Sequence, residues 1–547
     1  MAQDAPRREE LEHWVREAAE AFAPEMVALA YTEPTYSGWG LIGVLAVADG
    51  VGRGVQRLSR SYDEIRFGVL AVDRKLFESD VKVSALLEVA AGKLLLPYVS
   101  LAGVDYLDRW DKLYKRRKIE ESLAALALEH PELSSELLID PRYFVHDILI
   151  RLSHILPQAY DLLHTLDETG HTFVEAYNEA LRDLARAETI HIRDGLVAVD
   201  RGFVDAILSR GASVSDQLTR VQKQLQSLLK LGLRGVVDLL RPPSGFSIVE
   251  GMLSTAFASD LPRNDRFLHF PTAMGLSPLS DSTPIEELLA KLEPSSRVDD
   301  ARLRRFGGVL NEVYLLTYTA DGAAQRAIAK RYPNWVSLKW APIALWTLGT
   351  QNFAVLGRSR MERECAATSL LSRSGIPVPR ILYTSFKDRM LLREFVEGDN
   401  LADIVKTVIK RGVSNDHEGA LLNRVGGTVA AVHGLGATLG DCKPENFIVT
   451  PGGELFIVDL EQGARGGNET WDLAEFLYFL GHYAGPLDSL QGVADLARRF
   501  IEGYLSGGGS RRRVTEAARL KYTKVFTPVT LPQAIYTVAR TCRREAG

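Results

Sequence analysis

The sequence predicts an α+β chain of several domains, the last of them built from two lobes. Three observations predict it. The 547 residues are 46% hydrophobic and 25% charged, the make-up of a globular chain able to bury several cores. The first 240 residues mix apolar, strand-like runs with helical patterns. Beyond a stretch rich in Pro, Ser and Gly at 241–300, a second series opens, with short strands, one helical pattern at 361–371, and a hairpin closing on Pro451-Gly452-Gly453.

Taken in order, residues 5–30 read as an amphipathic helix, and 40–48 and 66–72 as buried strands separated by the polar turn 59–63. Residues 75–165 read as largely helical, with breaks at Pro97, Pro131 and Pro141. The strand ending Val72-Asp73, followed by helices, is faintly similar to a nucleotidyltransferase-like fold. That chemistry needs paired carboxylates on adjoining strands, and no Gly-Ser turn followed by Asp-x-Asp occurs. Residues 1–165 are therefore expected to be a structural α/β and helical domain.

Residues 166–240 are expected to hold a winged-helix module. A helix at 172–187 leads into a hairpin, Thr189 to Val199, with an Asp194-Gly195 turn. Arg193 and Arg201 are isolated, so a protein-contact module is favoured over a nucleic-acid reader. Val214, Leu218, Val221, Leu225 and Leu228 follow at alternating spacings of four and three, the seam of a short coiled coil or of a helix packed on a neighbour. The continuation 229–237 is apolar enough to touch a membrane surface, although its glycines weaken any helix. Residues 241–300 are expected to be a linker, with one helix opened by the capping box Thr283-Pro-Ile-Glu286. Residues 506–513, with their arginine triplet, are expected to be a flexible loop with a solvated face.

Chemistry concentrates in residues 301–547. Gly440-Asp-Cys-Lys-Pro-Glu-Asn446, followed by Phe456-Ile-Val-Asp459, has the spacing of a phosphoryl-transfer loop. Asp441 would accept or orient an acceptor proton, and Lys443 would neutralise charge on the moving phosphoryl group. Asn446 and Asp459 would hold a divalent metal, since a hairpin of this length returns both to one end. Upstream, Lys330 ends the apolar segment Ala327-Ile-Ala as a strand lysine facing phosphates would. Gly307 and Gly308 supply a turn that could close over them. Glu364, on the helical pattern at 361–371, is the expected partner of Lys330. Glu362 is the alternate, because it lies about 200° away round a helix and only one of the two can face inward.

With these residues in place, the region from about 303 to 540 resembles the protein-kinase-like superfamily in its atypical branch. It is most similar to the RIO kinases and to the small kinase of the tRNA threonylcarbamoylation complex. Gly308 to Tyr314 resembles their short phosphate loop. Leu391 to Gly398 resembles the strand and hinge that receive adenine through backbone groups, which assigns Glu394 and Val396 to ATP. His433 keeps the family's spacing to Asp441, and Trp471-Asp472 resembles the start of the helix that braces the catalytic loop. Four departures stand out. Leu439 replaces the usual loop histidine, Leu460-Glu461 replaces Phe-Gly, and Arg393 takes a gatekeeper position that is normally apolar. Only 13 positions separate Asp459 from Asp472, too few for a peptide-binding platform.

The resemblance implies ATP and Mg2+ as cofactors and an atypical serine/threonine protein kinase as the activity, with residues 1–240 binding the acceptor or a protein partner. Two rivals stay open. One is a small-molecule kinase resembling aminoglycoside or choline phosphotransferases, which share the Gly-Asp…Asn…Asp plan. The other is an ATP-driven switch or pseudokinase. A net charge of −5 and a pI near 6.2 leave nucleic-acid binding to a local patch at most. Cys365, Cys442 and Cys542 form neither a disulfide framework nor a metal spacing. With no signal-peptide core and no transmembrane run, a cytoplasmic protein is expected.

Overall fold

Strands β1 (Met26–Thr32), β2 (Leu41–Ala48), β3 (Val55–Tyr62), β4 (Ile65–Asp73) and β5 (Tyr98–Ala102) form a mixed sheet in the order β3-β4-β2-β1-β5. The computed structural model describes residues 8–32, 41–52, 54–62, 65–95, 97–153, 175–210, 264–283, 287, 302–305, 312–320, 323–334, 353–486 and 488–547. Strands β2 and β4 run parallel at the centre of the sheet. Covered on both faces, β2 is buried from Ile42 to Ala48 apart from Gly43, which is why it reads as an unbroken apolar run.

Helix α1 (Arg8–Ala18) lays Leu11, Val15 and Ala18 on one face of this sheet, and Trp14 stacks on Tyr62 at 6.0 Å. The single helix expected over 5–30 is thus shorter. The chain turns at Glu20–Glu25, which contains Pro24, and Met26–Thr32 joins the sheet. The polar segment 59–62, expected as a turn, is strand. Strand β3 lies at the sheet edge, where a polar residue keeps contact with water.

Helices α2 (Arg74–Val83), α3 (Val104–Glu129) and α4 (Arg142–Ser153) account for most of the predicted helical region, with Pro131 and Pro141 falling between α3 and α4. Helices α5 (Asn178–Arg186) and α6 (Arg201–Arg210) flank the hairpin β7 (Ile190–Arg193) and β8 (Leu196–Val199). Asp194 and Gly195 turn that hairpin with φ of 50° and 79°, as a type I′ turn requires. Strand β8 also pairs with the short β6 (Leu138–Ile139). The hairpin lies where it was expected, and the helix before it spans Asn178–Arg186 of the expected 172–187; a winged-helix module is not shown by these two elements, and the coiled-coil seam expected at 213–231 lies outside the described residues.

The chain divides into two compact units, Met1–Leu268 and His269–Gly547. Within the segment expected as a linker, β9 (Leu268–Thr272) and β10 (Gly275–Pro278) form a hairpin. Its tip donates from Ala273 N and Met274 N to the carbonyls of Ile381 and Leu382. Thr283 is described, but the rest of the expected capping box is not.

In the second unit, β11 (Arg302–Arg305), β12 (Glu312–Ala320), β13 (Ala323–Arg331), β14 (Ile381–Ser385) and β15 (Met390–Glu394) make an antiparallel sheet, in the order β11-β12-β13-β15-β14. Helix α7 (Gly357–Arg373) belongs to this small lobe.

The larger lobe contains α8 (Leu401–Arg411), α9 (Asp416–Gly434), α10 (Glu469–His482), α11 (Leu490–Ser506), α12 (Arg511–Ala517), α13 (Leu520–Phe526) and α14 (Pro532–Ala546). Its short strand pairs are β16 (Asp399–Asn400) with β18 (Phe447–Val449), β18 with β19 (Leu455–Ile457), and β17 (Ala437–Thr438) with β20 (Ala464–Arg465). Helices α9 and α11 pack backbone to backbone. A Cβ on Gly503 would stand 1.8 Å from the Asn423 carbonyl oxygen, so only glycine permits that approach. The arginine triplet expected in a flexible loop instead opens α12, a helix anchored by Val514 and Ala517.

Candidate active site

Strand β13 positions the first functional side chain. In its register with β12 and β15, Lys330 lies between Val313 and Leu391. Its side chain is 2% exposed, and Nζ meets Glu364 Oε2 at 2.7 Å, Asp459 Oδ1 at 2.5 Å and Glu461 Oε2 at 2.9 Å. Helix α7 turns Glu364 toward the lysine, while Glu362 pairs with Arg358 at 3.0 Å. Of the two sequence candidates, Glu364 is the one that meets Lys330. Glu364 also accepts from the Tyr332 hydroxyl at 2.6 Å and from Arg393 Nη1 at 3.1 Å. Arg360 Nη2 reaches Glu461 at 3.5 Å.

Six ionisable groups therefore share one buried cluster, with Lys330, Arg393 and Arg360 facing Glu364, Asp459 and Glu461. Burial alone would push the Lys330 ammonium down, but the Asp459, Glu364 and Glu461 carboxylates outweigh it and hold its pKa above the usual lysine range. Burial opposes ionisation of Asp459 too; Lys330 overcomes it and holds that carboxyl below its ordinary value. Burial wins at Glu461, whose pKa is raised.

The catalytic-type loop is fixed from beneath by α10. Asp472 accepts from Leu439 N at 2.7 Å and Gly440 N at 2.8 Å, and His433 Nε2 lies 3.1 Å from its Oδ2. The loop thus has a carboxylate brace acting on its own backbone, at the point where Leu439 replaces the expected histidine. Gly440 has φ of 70°, and a Cβ there would meet the Gln462 carbonyl oxygen at 2.2 Å, so the residue before Asp441 must be glycine. Glu475, one turn past Asp472, accepts from Cys442 N at 2.7 Å. Burial, reinforced by Asp441, pushes the Glu475 carboxyl far above its ordinary value.

Asp441 Oδ2 accepts from Lys443 Nζ at 2.9 Å and from Asn446 Nδ2 at 3.0 Å. Burial would lower the Lys443 pKa, and Asp441 more than offsets it. The hairpin β18–β19 brings the next strand end back to Asn446, since Val458 N donates to the Asn446 carbonyl at 2.8 Å. Asp459 follows at once with φ of 63°, a left-handed conformation that aspartate tolerates better than most residues.

A hard divalent cation takes oxygen ligands. Asn446 Nδ2 is fully engaged by the carbonyl and carboxylate of Asp441, which leaves its Oδ1 as the free ligand atom. Together with the Asp459 carboxylate this fits Mg2+. The carboxylates of Glu364, Asp459 and Glu461 also cluster within 4.8 Å of one another, but the Lys330 ammonium already sits among them.

Glu394 pairs with Arg380 at 2.8 Å, and its backbone N–H donates to the Arg380 carbonyl. Val396 follows in the segment leaving β15. Gly307 and Gly308 lie outside the described residues. Sequence reading missed the participation of Arg360, Tyr332 and Glu475. Arg360 stands four residues before Glu364 on one helix face, and Glu475 three after Asp472, so helical spacing carried a signal for both.

A small lobe carrying a lysine–glutamate pair, joined to a loop with Asp441, Lys443, Asn446 and Asp459, defines a phosphotransferase of the kinase class. Residues 345–479 match the lipopolysaccharide kinase (Kdo/WaaP) family. No curated protein matches the chain. Among the described residues, no helix is long and apolar enough to cross a membrane.

Proposed function

We propose that the second unit transfers the γ-phosphoryl group of ATP, with Mg2+, to a hydroxyl of a sugar-containing acceptor and not to serine or threonine of an extended peptide. The observation that carries this reading is the short path from Asp459 to α10. Nine residues, 460–468, make the connection, and two of them, Ala464 and Arg465, are tied to Thr438 and Ala437 as a strand pair. No length remains to build a shelf for a peptide backbone. The family matched by residues 345–479 is one of lipopolysaccharide kinases, which agrees with a saccharide acceptor.

In this reading Asp441 orients the acceptor hydroxyl and takes its proton, with Lys443 holding the carboxylate in place. Mg2+ would be held by Asn446 and Asp459 and would supply charge neutralisation on the phosphates. Lys330, steadied by Glu364, would contact the phosphate oxygens. Glu394 and Val396 would receive adenine. An ATP-binding switch is the second reading, favoured by one feature: Lys330 is closed on Asp459 and Glu461 as well as on Glu364, and must exchange partners before it can meet phosphate.

Incubation of the full chain with γ-labelled ATP and a lipid-linked saccharide extract separates the readings. Label on saccharide supports the proposal. Label on protein serine or threonine restores the protein-kinase reading, and free phosphate alone favours the switch. Asp441→Ala should lower transfer by about 10²- to 10⁴-fold with nucleotide affinity retained, whereas Asp459→Ala should also lose metal-dependent nucleotide binding. Equal loss of binding in both variants would overturn the division of roles.

A further inference from the structure

The second unit ends in a strongly basic segment of an acidic chain. Residues 506–547 hold nine arginines and lysines against two glutamates, a net charge of +7 where the whole chain totals −5. Part of this charge is answered within the fold. Arg512 pairs with Glu516, Arg513 with Glu469 and Arg544 with Glu545. Lys521, Lys524 and Arg540 are exposed, and none of the three has an ion-pair partner among the described residues.

Apolar side chains stand among these cations. Leu520 is 78% exposed and Tyr536 65%, the two highest values for large apolar side chains among the described residues, and Val529 is 50% exposed. Single exposed apolar residues are ordinary on a protein surface, but these three share one face. On α13, Tyr522 and Phe526 are buried, which turns Leu520, Lys521 and Lys524 outward together. On α14, Tyr536, Arg540 and Arg543 follow at spacings of four and three, one stripe of a helix, and all three are exposed. Arg543 Nη2 donates to the Ala518 carbonyl at 3.3 Å, so the stripe runs up to the start of α13. Val529 lies in the turn that joins the two helices.

We propose that the α13–α14 face docks on an anionic phospholipid surface, with Lys521, Lys524 and Arg540 at the headgroup phosphates and Leu520, Val529 and Tyr536 entering the boundary between headgroups and acyl chains. The charge calls for an anionic partner. The apolar side chains decide its kind: leucine and valine gain from an acyl boundary, whereas the backbone of a nucleic acid rewards the cations and offers an aliphatic side chain little.

The same face is tied to the catalytic-type loop. Asn468 Nδ2, at the cap of α10, donates to the Tyr522 hydroxyl at 3.1 Å. Phe526 stacks on Trp471 at 5.7 Å, and Trp471 Nε1 donates at 3.2 Å to the carbonyl of Gly440, the residue before Asp441. Docking through α13 would therefore hold the brace of that loop at the membrane, where an acceptor carried in the lipid can meet Asp441. This last step rests on the phosphotransferase reading; the docking itself does not.

Co-sedimentation of the full chain with vesicles, without nucleotide, tests the docking. The chain should bind vesicles of phosphatidylglycerol and phosphatidylcholine in equal parts, bind pure phosphatidylcholine weakly, and release from the mixed vesicles as salt rises. Each cation near an anionic surface contributes about fivefold, so Lys521→Gln with Lys524→Gln should weaken binding about 25-fold. Both side chains are exposed and unpaired, and the melting temperature of the double variant should match the parent's. Leu520→Ser should also weaken vesicle binding. Asp441→Ala should bind vesicles as the parent does, which separates docking from phosphoryl transfer. No binding to the mixed vesicles, or full binding in the double variant, overturns the docking even where transfer to a soluble acceptor persists. Equal binding to pure phosphatidylcholine overturns the role of charge. Tighter binding to a single-stranded oligonucleotide, unaffected by Leu520→Ser, overturns the lipid assignment and makes the face a nucleic-acid reader.

Discussion

Both units of the chain hold lysines drawn away from water, and two of them, Lys330 and Lys93, are treated in opposite ways. Lys330 is almost fully buried, yet three carboxylates surround it and keep it charged. Lys93 is also taken from water, but Arg57 is the charge that bears on it, and its pKa falls to about 8. Desolvation acts alike on both and would neutralise either. Burial by itself therefore does not decide the charge of a lysine; the sign of the neighbours does. The difference also separates two settings of a buried cation. Lys330 belongs to a cluster of three cations and three anions that is balanced before any ligand arrives. Lys93 has no carboxylate partner among the described residues.

The largest effect expected from breaking this contrast comes from Lys330→Met. It leaves Glu364, Asp459 and Glu461 together without their central cation. Removing one partner of a buried ion pair costs about 3–5 kcal/mol, because the remaining charge stays desolvated. Chemical denaturation should show a loss of that order at neutral pH, together with loss of phosphoryl transfer. The deficit should shrink as pH falls, since carboxylates deprived of the lysine take up protons more readily and an uncharged carboxyl carries no such penalty. A deficit independent of pH would show that the cluster is not governed by its charge balance.

How much of this arrangement was legible in the sequence depended on range. Asp441, Asn446 and Asp459 sit on one loop and one short hairpin, so local spacing and Pro451-Gly452-Gly453 were enough to bring Asn446 and the strand before Asp459 together. Lys330 and Glu364 could be paired because each reads as the inward face of its own element. Arg360 and Glu475 act on residues far away in sequence, and their partners become visible only when the lobe is folded. The fold shows the same limit. Met26–Thr32 is an apolar run without a diagnostic period, and it was absorbed into the helix before it. Ser59–Tyr62 is polar because β3 lies at a sheet edge, and polarity read as a turn. The approach of Lys93 to Gly43 had no sequence signal at all: Thr32, Gly43 and Lys93 meet only through strand register and a turn folded round Asp80.

The reverse prediction concerns Lys93→Met, which removes an ammonium with no hydrogen-bond or ion-pair partner among the described residues. A lysine whose folded pKa lies near 8 against 10.5 as its ordinary value destabilises the fold below pH 8 by up to about 3 kcal/mol. Above 10.5 both states are neutral and the penalty vanishes. Lys93→Met should therefore be more stable than the parent at neutral pH in chloride, and the advantage should fade as pH rises from 8 to 10.5. A variant less stable than the parent at pH 7 in chloride would mean that Lys93 has a favourable partner, and the contrast with Lys330 would fail.

The smallest effect expected sharpens the comparison within the kinase-type cluster itself. Arg393 donates to Glu364 at 3.1 Å, and its side chain is 15% exposed. Arg393→Met keeps the length of the side chain and removes one cation of the three. Hydrogen bonds to charged groups contribute about 1.5–3 kcal/mol, and the partial exposure of Arg393 places the loss at the lower end, about 1.5 kcal/mol. Glu364 keeps Lys330 and the Tyr332 hydroxyl, so its charge is still met. The cost should accordingly be well below that of Lys330→Met, and it should fall in the same direction with decreasing pH. Equal losses for the two variants would show that the cluster responds to its total charge alone. A clear difference would show that Lys330, at the centre of all three carboxylates, is the group on which its balance rests.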